Sequence, residues 1–355
     1  MAQAIRARPA QPRFPLATET RPGVICKRGL PKMLSFIAQR LIQSVLVMLT
    51  VALIAFSMFR YVGDPVASMV GQDTTPEQRA QLRGELGLDD PFVVQFARFV
   101  GNAAQGDFGI SYRQRRPVSE LLEERMPATL ELSFVSAVMA LALGIPMGIY
   151  TALKRHGVLS KTFMAISLAG ISLPTFLIGI LLILVFGVQL RWLPSFGRGD
   201  VVSLGWWTTG FLTKSGWLAL IMPAITLALF QMTLIMRLVR AEMLEVLRAD
   251  FIKFARARGL PERLINFRHA LKNTMVPVIT ITGLQLGSII AFAIITETVF
   301  QWPGMGLLFI QAISMVDIPV MAAYLVLIAF MFVLINLVVD LLYFAVDPRL
   351  RVQSK

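Results

Sequence analysis

Six long apolar stretches constrain this chain more than any other feature. Each approaches or exceeds the roughly 20 residues that a helix needs to cross a bilayer, and none has a lysine or arginine in its middle. Charged residues make up only 15% of the chain, against about 25% in a soluble domain, which excludes a soluble globule and a disordered chain. The sequence predicts an all-α integral membrane protein with six transmembrane helices at Leu41–Phe59, Ala128–Leu153, Phe163–Leu190, Trp217–Met236, Met275–Ile295 and Val320–Val346.

The distribution of basic residues predicts the orientation. If the amino terminus is cytoplasmic, the cytoplasmic segments hold 23 Lys and Arg residues and the outside segments hold 11. Cytoplasmic loops carry the excess of Lys and Arg in membrane proteins. Both termini are therefore expected in the cytoplasm, with a large outside loop between helices 1 and 2. The net charge of +13 follows from this excess, so no nucleic-acid partner is expected.

The expected organisation has four parts. Residues 1–32 are a disordered, Arg- and Pro-rich cytoplasmic extension; the alternative is that translation starts at Met33. Residues 33–127 hold helix 1 and the large outside loop. Residues 128–348 form a core of helices 2–6 with a cytoplasmic loop at 240–272, and 349–355 form a cytoplasmic tail.

The sequence predicts that the large outside loop, Tyr61–Pro127, is structured. Thr75 followed by Gln78 is a capping-box pattern for a helix start. Asp90 and Pro91 repeat such a signal ahead of a helix with three Phe residues on one stripe, and a further short helix is expected at Val118–Arg125. The loop would be either a lid on the bundle or a docking surface. The second outside loop, 191–216, is rich in Trp, a residue that favours the membrane interface.

The cytoplasmic loop between helices 4 and 5 carries a short helix with an aromatic face. Asp250 can cap it and Gly259 can end it. Phe251 and Phe254 fall on one side at helical spacing, together with Ala255 and Arg258. Such a face needs an apolar partner to bury against.

Patterns for catalysis and metal binding are absent from the sequence. It contains no G-x-x-x-x-G-K-[ST], H-E-x-x-H or G-x-S-x-G pattern, which argues against a P-loop ATPase, a zinc protease and a serine hydrolase. Two His and one Cys argue against a His-rich metal centre. We expect no catalytic residues, no metal site and no cofactor bound by this chain.

Three polar residues within or just beyond the predicted spans are candidates for function. An ionisable group inside a membrane is by default a functional candidate. Gln231, Glu297 and Asp340 are therefore possible pathway residues, while Glu297 and Asp340 lie near interfaces where structural pairing is the alternative. No chain of buried carboxylates suggests a proton relay, which weighs against a stand-alone secondary transporter.

The loop Asp250–Pro277 resembles the cytoplasmic EAA loop of ABC importer permeases of the binding-protein-dependent type. Ala255 and Gly259 match that pattern, while Lys253 and Phe254 replace its Glu and first Ala. The segments MLSFIAQRLIQS, GDP, LGLDDP, GDFGISYRQRRPV and VFQWPGMGLL are similar to the dipeptide/oligopeptide, B-type branch of that family. The resemblance covers about 33–351, in order.

The resemblance implies a type I ABC importer permease fold in the bacterial inner membrane. It implies a homologous permease partner, two ABC ATPase subunits that bind ATP and Mg, and an extracytoplasmic peptide-binding protein. Dipeptide or oligopeptide import is the expected function, with glutathione or chelated nickel as alternative cargo. It implies an ATPase-coupling helix of Asp250, Phe251, Phe254, Ala255, Arg256, Arg258, Gly259 and Leu260, and possible receptor docking at Asp64, Asp107 and Tyr112.

Overall fold

The computed structural model describes residues 29–62, 75–85 and 89–346. By its contacts the chain separates into a short unit ending at Gln39 and a main unit beginning at Arg40. Asp64, most of the expected 1–32 extension and the 349–355 tail lie outside the described residues. The first helix begins at Gly29, so the last four residues of that expected disordered extension, 29–32, are helical.

The described residues are almost entirely helical. The helices are α1 (Gly29–Val62), α2 (Pro76–Glu85), α3 (Phe92–Ala104), α4 (Val118–Leu153), α5 (Val158–Ser172), α6 (Thr175–Leu182), α7 (Lys214–Val246), α8 (Asp250–Ala257), α9 (Glu262–Leu264), α10 (Leu271–Val299), α11 (Met305–Met315) and α12 (Ile318–Val346). Wider π-helical turns extend α6 over Ile183–Gln189 and join α9 to α10 over Ile265–Ala270. A small antiparallel hairpin, β1 (Val202–Leu204) and β2 (Trp207–Thr209), lies between α6 and α7.

Four of the described helices are long and apolar enough to cross a membrane: α1, α4, α7 and α12. Two bent helix pairs would raise the number to six if each is one crossing. The four single helices overlap the first, second, fourth and sixth predicted spans, and the bent pairs overlap the third and fifth.

The third predicted span is not one straight helix, which corrects the sequence prediction. Its two halves, α5 and α6 with its π-helical extension, meet at an angle of 109°. Leu173 adopts an extended conformation, with φ −93° and ψ 134°, directly before Pro174. The proline ring disfavours helical geometry in the preceding residue, so the helix ends there and restarts beyond the proline.

The second predicted span is longer than expected. The short helix predicted at Val118–Arg125 and the span from Ala128 form one helix, α4, which continues through Pro127 and Pro146. In the segment before it, the predicted capping box is confirmed. Thr75 and Gln78 form the reciprocal capping box, each side chain accepting from the other residue's backbone N–H.

The aromatic stripe of α3 packs on the first span. The rings of Phe92, Phe96 and Phe99 lie 5.3–5.8 Å from the ring of Phe56 in α1. Asp90 does not cap this helix and instead pairs with Arg98 at 2.6 Å. The helix ends at Ala104.

The core is built on close contact between α4 and α7. Gly144 and Gly148, four residues apart on α4, face the backbone and side chains of α7. A Cβ at Gly148 would lie 2.7 Å from Val239 Cβ and 2.8 Å from Met236 O. Small residues at this spacing let membrane helices approach closely. Gly283 and Gly287 of α10 face Val339 and Phe332 of α12 in the same way.

Candidate functional site

The α8 helix ends as the sequence predicts. Gly259 has φ +75°, a left-handed conformation that favours glycine. Its N–H donates to Arg256 O at 2.9 Å, and Leu260 N–H donates to Ala255 O at 3.3 Å. This pair of bonds is the Schellman motif, and it turns the chain sharply out of the helix towards Pro261.

The buried side of α8 differs from the predicted aromatic face. Ile252 and Ala255 are buried against Ala152 of α4, Met243 of α7 and Ile265. Ala255 thus belongs to the buried side rather than to the Phe side. Helical spacing in the sequence placed Ala255 with the Phe residues because Ala255 lies at the edge between the two sides of the helix.

Phe251 and Phe254 are 46% and 64% exposed. The Arg258 guanidinium lies 5.8 Å from the centroid of the Phe254 ring. The helix is therefore held to the bundle on one side and presents two aromatic rings on the other. Exposed apolar clusters of this kind mark interaction sites when they are not in contact with lipid.

Charges around these rings are paired within the loop. Asp250 is the first residue of α8 and does not cap it; its carboxylate accepts from Lys253 Nζ at 2.9 Å. This hydrogen bond and the charge of Lys253 hold the pKa of Asp250 below its ordinary value. Arg256 pairs with Glu262 at 2.9 Å, so it links α8 to α9.

The three polar residues predicted as possible pathway residues all have structural contacts. Gln231 is buried and donates from Nε2 to Ser288 Oγ at 2.8 Å, which joins α7 to α10. Asp340 pairs with Arg40 at 3.2 Å, which joins α12 to α1. These three residues are not brought together in one cluster by any described contact.

Glu297, in the last turn of α10, is fully buried against the start of α11. It accepts from Thr129 Oγ1 at 2.6 Å and from Leu307 N–H at 3.0 Å. Thr129 in turn accepts from Met305 N–H at 2.8 Å. The pair satisfies amide groups in the first turn of α11, which a helix start otherwise leaves unpaired. The segment between α10 and α11 is thus a short turn that leads directly into this helix.

Two of the predicted docking residues lie in the turn between α3 and α4. Asp107 is exposed and accepts from Gly109 N–H at 2.9 Å. Tyr112 N–H donates to Asp317 Oδ1 at 3.1 Å, and the Ser111 hydroxyl donates to the same carboxylate. Burial and the nearby charge of Asp317 raise the pKa of Tyr112 to about 12. This turn exposes Arg113 and its neighbours, Gln114, Arg115 and Arg116.

Sequence reasoning missed one buried ion pair. Arg198 Nη2 lies 2.6 Å from Glu131 Oε2, and the two side chains are 6% and 3% exposed. Arg198 also donates to Thr208 O at 2.7 Å, and Gly210 N–H donates to Glu131 at 3.3 Å. The signal was present, since Glu131 is an acidic residue within a predicted span, but nothing in the sequence indicated its partner.

Together these features define a polytopic helical membrane protein that presents an aromatic helix from one loop. Comparison with known proteins specifies the class. Residues 144–352 match the binding-protein-dependent transport system inner membrane component family, and residues 33–133 match the amino-terminal part of such membrane components. The chain belongs to this family and is a permease-type, multi-pass protein of the bacterial inner membrane.

Curated relatives cover 90% of this chain. The di/tripeptide transport system permease protein DppB of Pseudomonas aeruginosa is 41% identical over 335 residues, with 100% of its own length covered. The dipeptide transport system permease protein DppB of Escherichia coli K12 is 40% identical with 99% covered. The glutathione transport system permease protein GsiC of the same strain is 36% identical with 99% covered.

A solved structure supports the fold. The MetNI methionine ABC transporter in an inward-facing conformation matches with a TM-score of 0.50 and 21% identity, covering 64% of this chain and 96% of that chain. This likeness agrees with the type I importer permease fold predicted from the sequence.

Proposed function

We propose that this chain is one of two permease subunits of an ABC importer for dipeptides or oligopeptides. Membership of the family and the identity to two dipeptide permeases over nearly their whole length support the proposal. The second permease would be a homologue of this chain. An extracytoplasmic binding protein would deliver the peptide, and two partner ATPases would bind and hydrolyse ATP with Mg, so the chain itself is non-catalytic.

The topology in this proposal has six crossings and two cytoplasmic ends. Each of the two bent helix pairs would count as one crossing, and α8 would lie in the cytoplasm. Reporter fusions at the ends of α7 and α10 test this arrangement. Cytoplasmic activity after α7 and outside activity after α10 are the expected results, and the reverse pattern would refute the topology.

The carrying observation is the exposed pair of rings on α8. A helix that is fixed to the bundle by Ile252 and Ala255, while Phe251 and Phe254 remain exposed, can transmit movement of a bound partner into α4 and α7. Burial of such rings in a groove of an ATPase subunit would remove apolar area from water. ATP-driven closure of the ATPases would then shift the permease pair between inward- and outward-facing states.

Replacing one ring by a charge tests this coupling. Phe254→Asp should abolish peptide-stimulated ATPase activity and uptake in reconstituted transporter, because an unpaired carboxylate would have to be buried at the interface. Arg256→Ala is the matched control on the same helix. Its exposed ion pair is worth about 0–1 kcal/mol, so transport should be retained. Normal uptake by an assembled Phe254→Asp transporter would refute the docking role.

Glutathione is the second candidate cargo, because the glutathione permease is also similar over 90% of this chain. Separate uptake assays with a labelled dipeptide, labelled glutathione and chelated radioactive nickel distinguish the three. Uptake of the dipeptide alone supports the leading proposal, and uptake of glutathione alone replaces it.

The pathway and receptor assignments remain proposals. Gln231, Glu297 and Asp340 have contacts that support structural roles, so we expect their conservative replacement to lower stability before it changes cargo selection. Asp107 and Tyr112 lie in one outside turn, which supports that turn as part of a receptor-docking surface. Asp64, the third docking residue, lies outside the described part of the chain.

A further inference from the structure

The hairpin between α6 and α7 has an unusual surface for an extramembrane element. From Val201 to Thr213 the chain contains no charged residue. Gly205, with φ +74°, makes the two-residue turn between β1 and β2. Around that turn Val202, Leu204 and Trp206 are 37%, 56% and 70% exposed. In water this arrangement would leave a contiguous apolar patch uncovered.

The base of the hairpin is fixed to three spans. The buried pair of Arg198 and Glu131 ties β2 to α4 through Thr208. Gly197 N–H donates to Phe300 O at 3.0 Å, just beyond the end of α10.

The third tie joins the base to the start of α7. Ser215 donates to the Asp200 carboxylate at 2.6 Å, and Thr213 donates to Asp200 O at 2.6 Å. The orientation of the apolar turn relative to the bundle is thus set by three separate connections.

We propose that this hairpin turn is an interfacial membrane anchor that inserts Leu204 and Trp206 into the headgroup and acyl boundary of the bilayer. Along the chain, the end of the preceding helical segment and the residues that follow it are also apolar and exposed, with Val188 at 55% and Trp192 at 66%. Trp favours the membrane interface because its ring is apolar and its N–H is polar. The three connections at the hairpin base would keep the turn at that depth.

The anchor has a chemical consequence for the ion pair behind it. Arg198 and Glu131 lie at the hairpin base with 6% and 3% exposure, and lipid over the turn would keep water from that side. The hairpin would therefore act as a cover over the outer end of α4, held in place by the charged pair that it shields.

Spin-label accessibility in lipid nanodiscs tests the anchor. Nitroxides are placed at Trp206→Cys and, as the matched control, at Ser203→Cys on the other side of β1, in a Cys26→Ser background with the assembled subunits present. The label at 206 should collide frequently with oxygen, which dissolves in lipid, and rarely with a water-soluble nickel chelate. The label at 203 should show the reverse order. Nanodiscs expose both membrane faces, so the result does not depend on the proposed orientation or cargo.

The other outcomes overturn the proposal. Collision with the nickel chelate at 206 would place the turn in water, free to meet a soluble receptor. Exclusion of both reagents would place it against protein, such as the second permease.

Quenching by acyl-brominated lipids avoids the cysteine variants. Wild-type Trp fluorescence should be quenched, with a fraction lost in Trp206→Phe but retained in Trp207→Phe. Equal quenching in wild type and Trp206→Phe would also refute the anchor.

Discussion

Removing one member of the buried ion pair should cost far more stability than removing an exposed one. At the observed separation of 2.6 Å between Arg198 and Glu131, Coulomb's law with an effective dielectric constant of about 20 gives an attraction of about 6 kcal/mol. Desolvation offsets much of this in the intact protein. In Arg198→Met the Glu131 carboxylate stays buried without its partner, and such losses amount to about 3–5 kcal/mol.

The measurement is a double-mutant cycle on the free energy of unfolding in mixed micelles. Arg198→Met should lose about 3–5 kcal/mol, whereas Arg198→Met combined with Glu131→Gln should regain a large part of that loss. Arg116→Met is the exposed control, because Arg116 pairs with Glu120 and Glu124 at the surface and should lose no more than about 1 kcal/mol. Equal losses for the buried and exposed variants would refute the reasoning.

Two further predictions follow from the packing and from the turn between α3 and α4. Gly148→Leu should reduce the yield of folded, monodisperse protein in detergent, because its Cβ would lie 2.7 Å from Val239 Cβ and overpacking costs at least about 1–3 kcal/mol. Gly101→Leu is the control and should leave the yield unchanged, because no atom lies within 4 Å of a Cβ at that position. Equal yields for the two variants would contradict the close crossing of α4 and α7. Tyr112 should ionise at about pH 12 instead of its ordinary 10.0 in an ultraviolet titration referenced to Tyr112→Phe. Because this pKa is raised, the protonated phenol adds stability that is present below pH 10.0 and lost as the pH rises to about 12. Asp317→Asn should lower the pH at which Tyr112 ionises. An unchanged ionisation pH in that variant would exclude the charge of Asp317 as a cause of the raised pKa.

Local signals in the sequence predicted the helices well. Apolar length alone located the spans, because a bilayer demands it. The capping box of Thr75 and Gln78 and the glycine stop at Gly259 were also predictable, since each depends on atoms within a few residues. The stripe of Phe residues on α3 is visible in the sequence, although its partner Phe56 is not.

The sequence did not predict contacts between residues that are distant in the chain. The sequence showed acidic residues at Glu131 and Glu297 but not the groups they bind, because Arg198 and Thr129 are distant in the chain. The side of α8 that is buried was also missed: a helix of eight residues has too few positions for periodicity to separate Ala255 from the adjacent aromatic side. The break before Pro174 was readable as a local restriction, yet apolar length concealed it.

The contact between Ser111 and Asp317 joins groups that are 206 residues apart. During synthesis the turn at Ser111 and Tyr112 emerges long before its acceptor, which directly precedes α12. The turn cannot acquire its final hydrogen bonds until Asp317 has been synthesised. Its closure is therefore a late event in biogenesis, and a chain that stops before Asp317 would display an open turn on its surface, by which a quality-control protease could distinguish it from the finished permease.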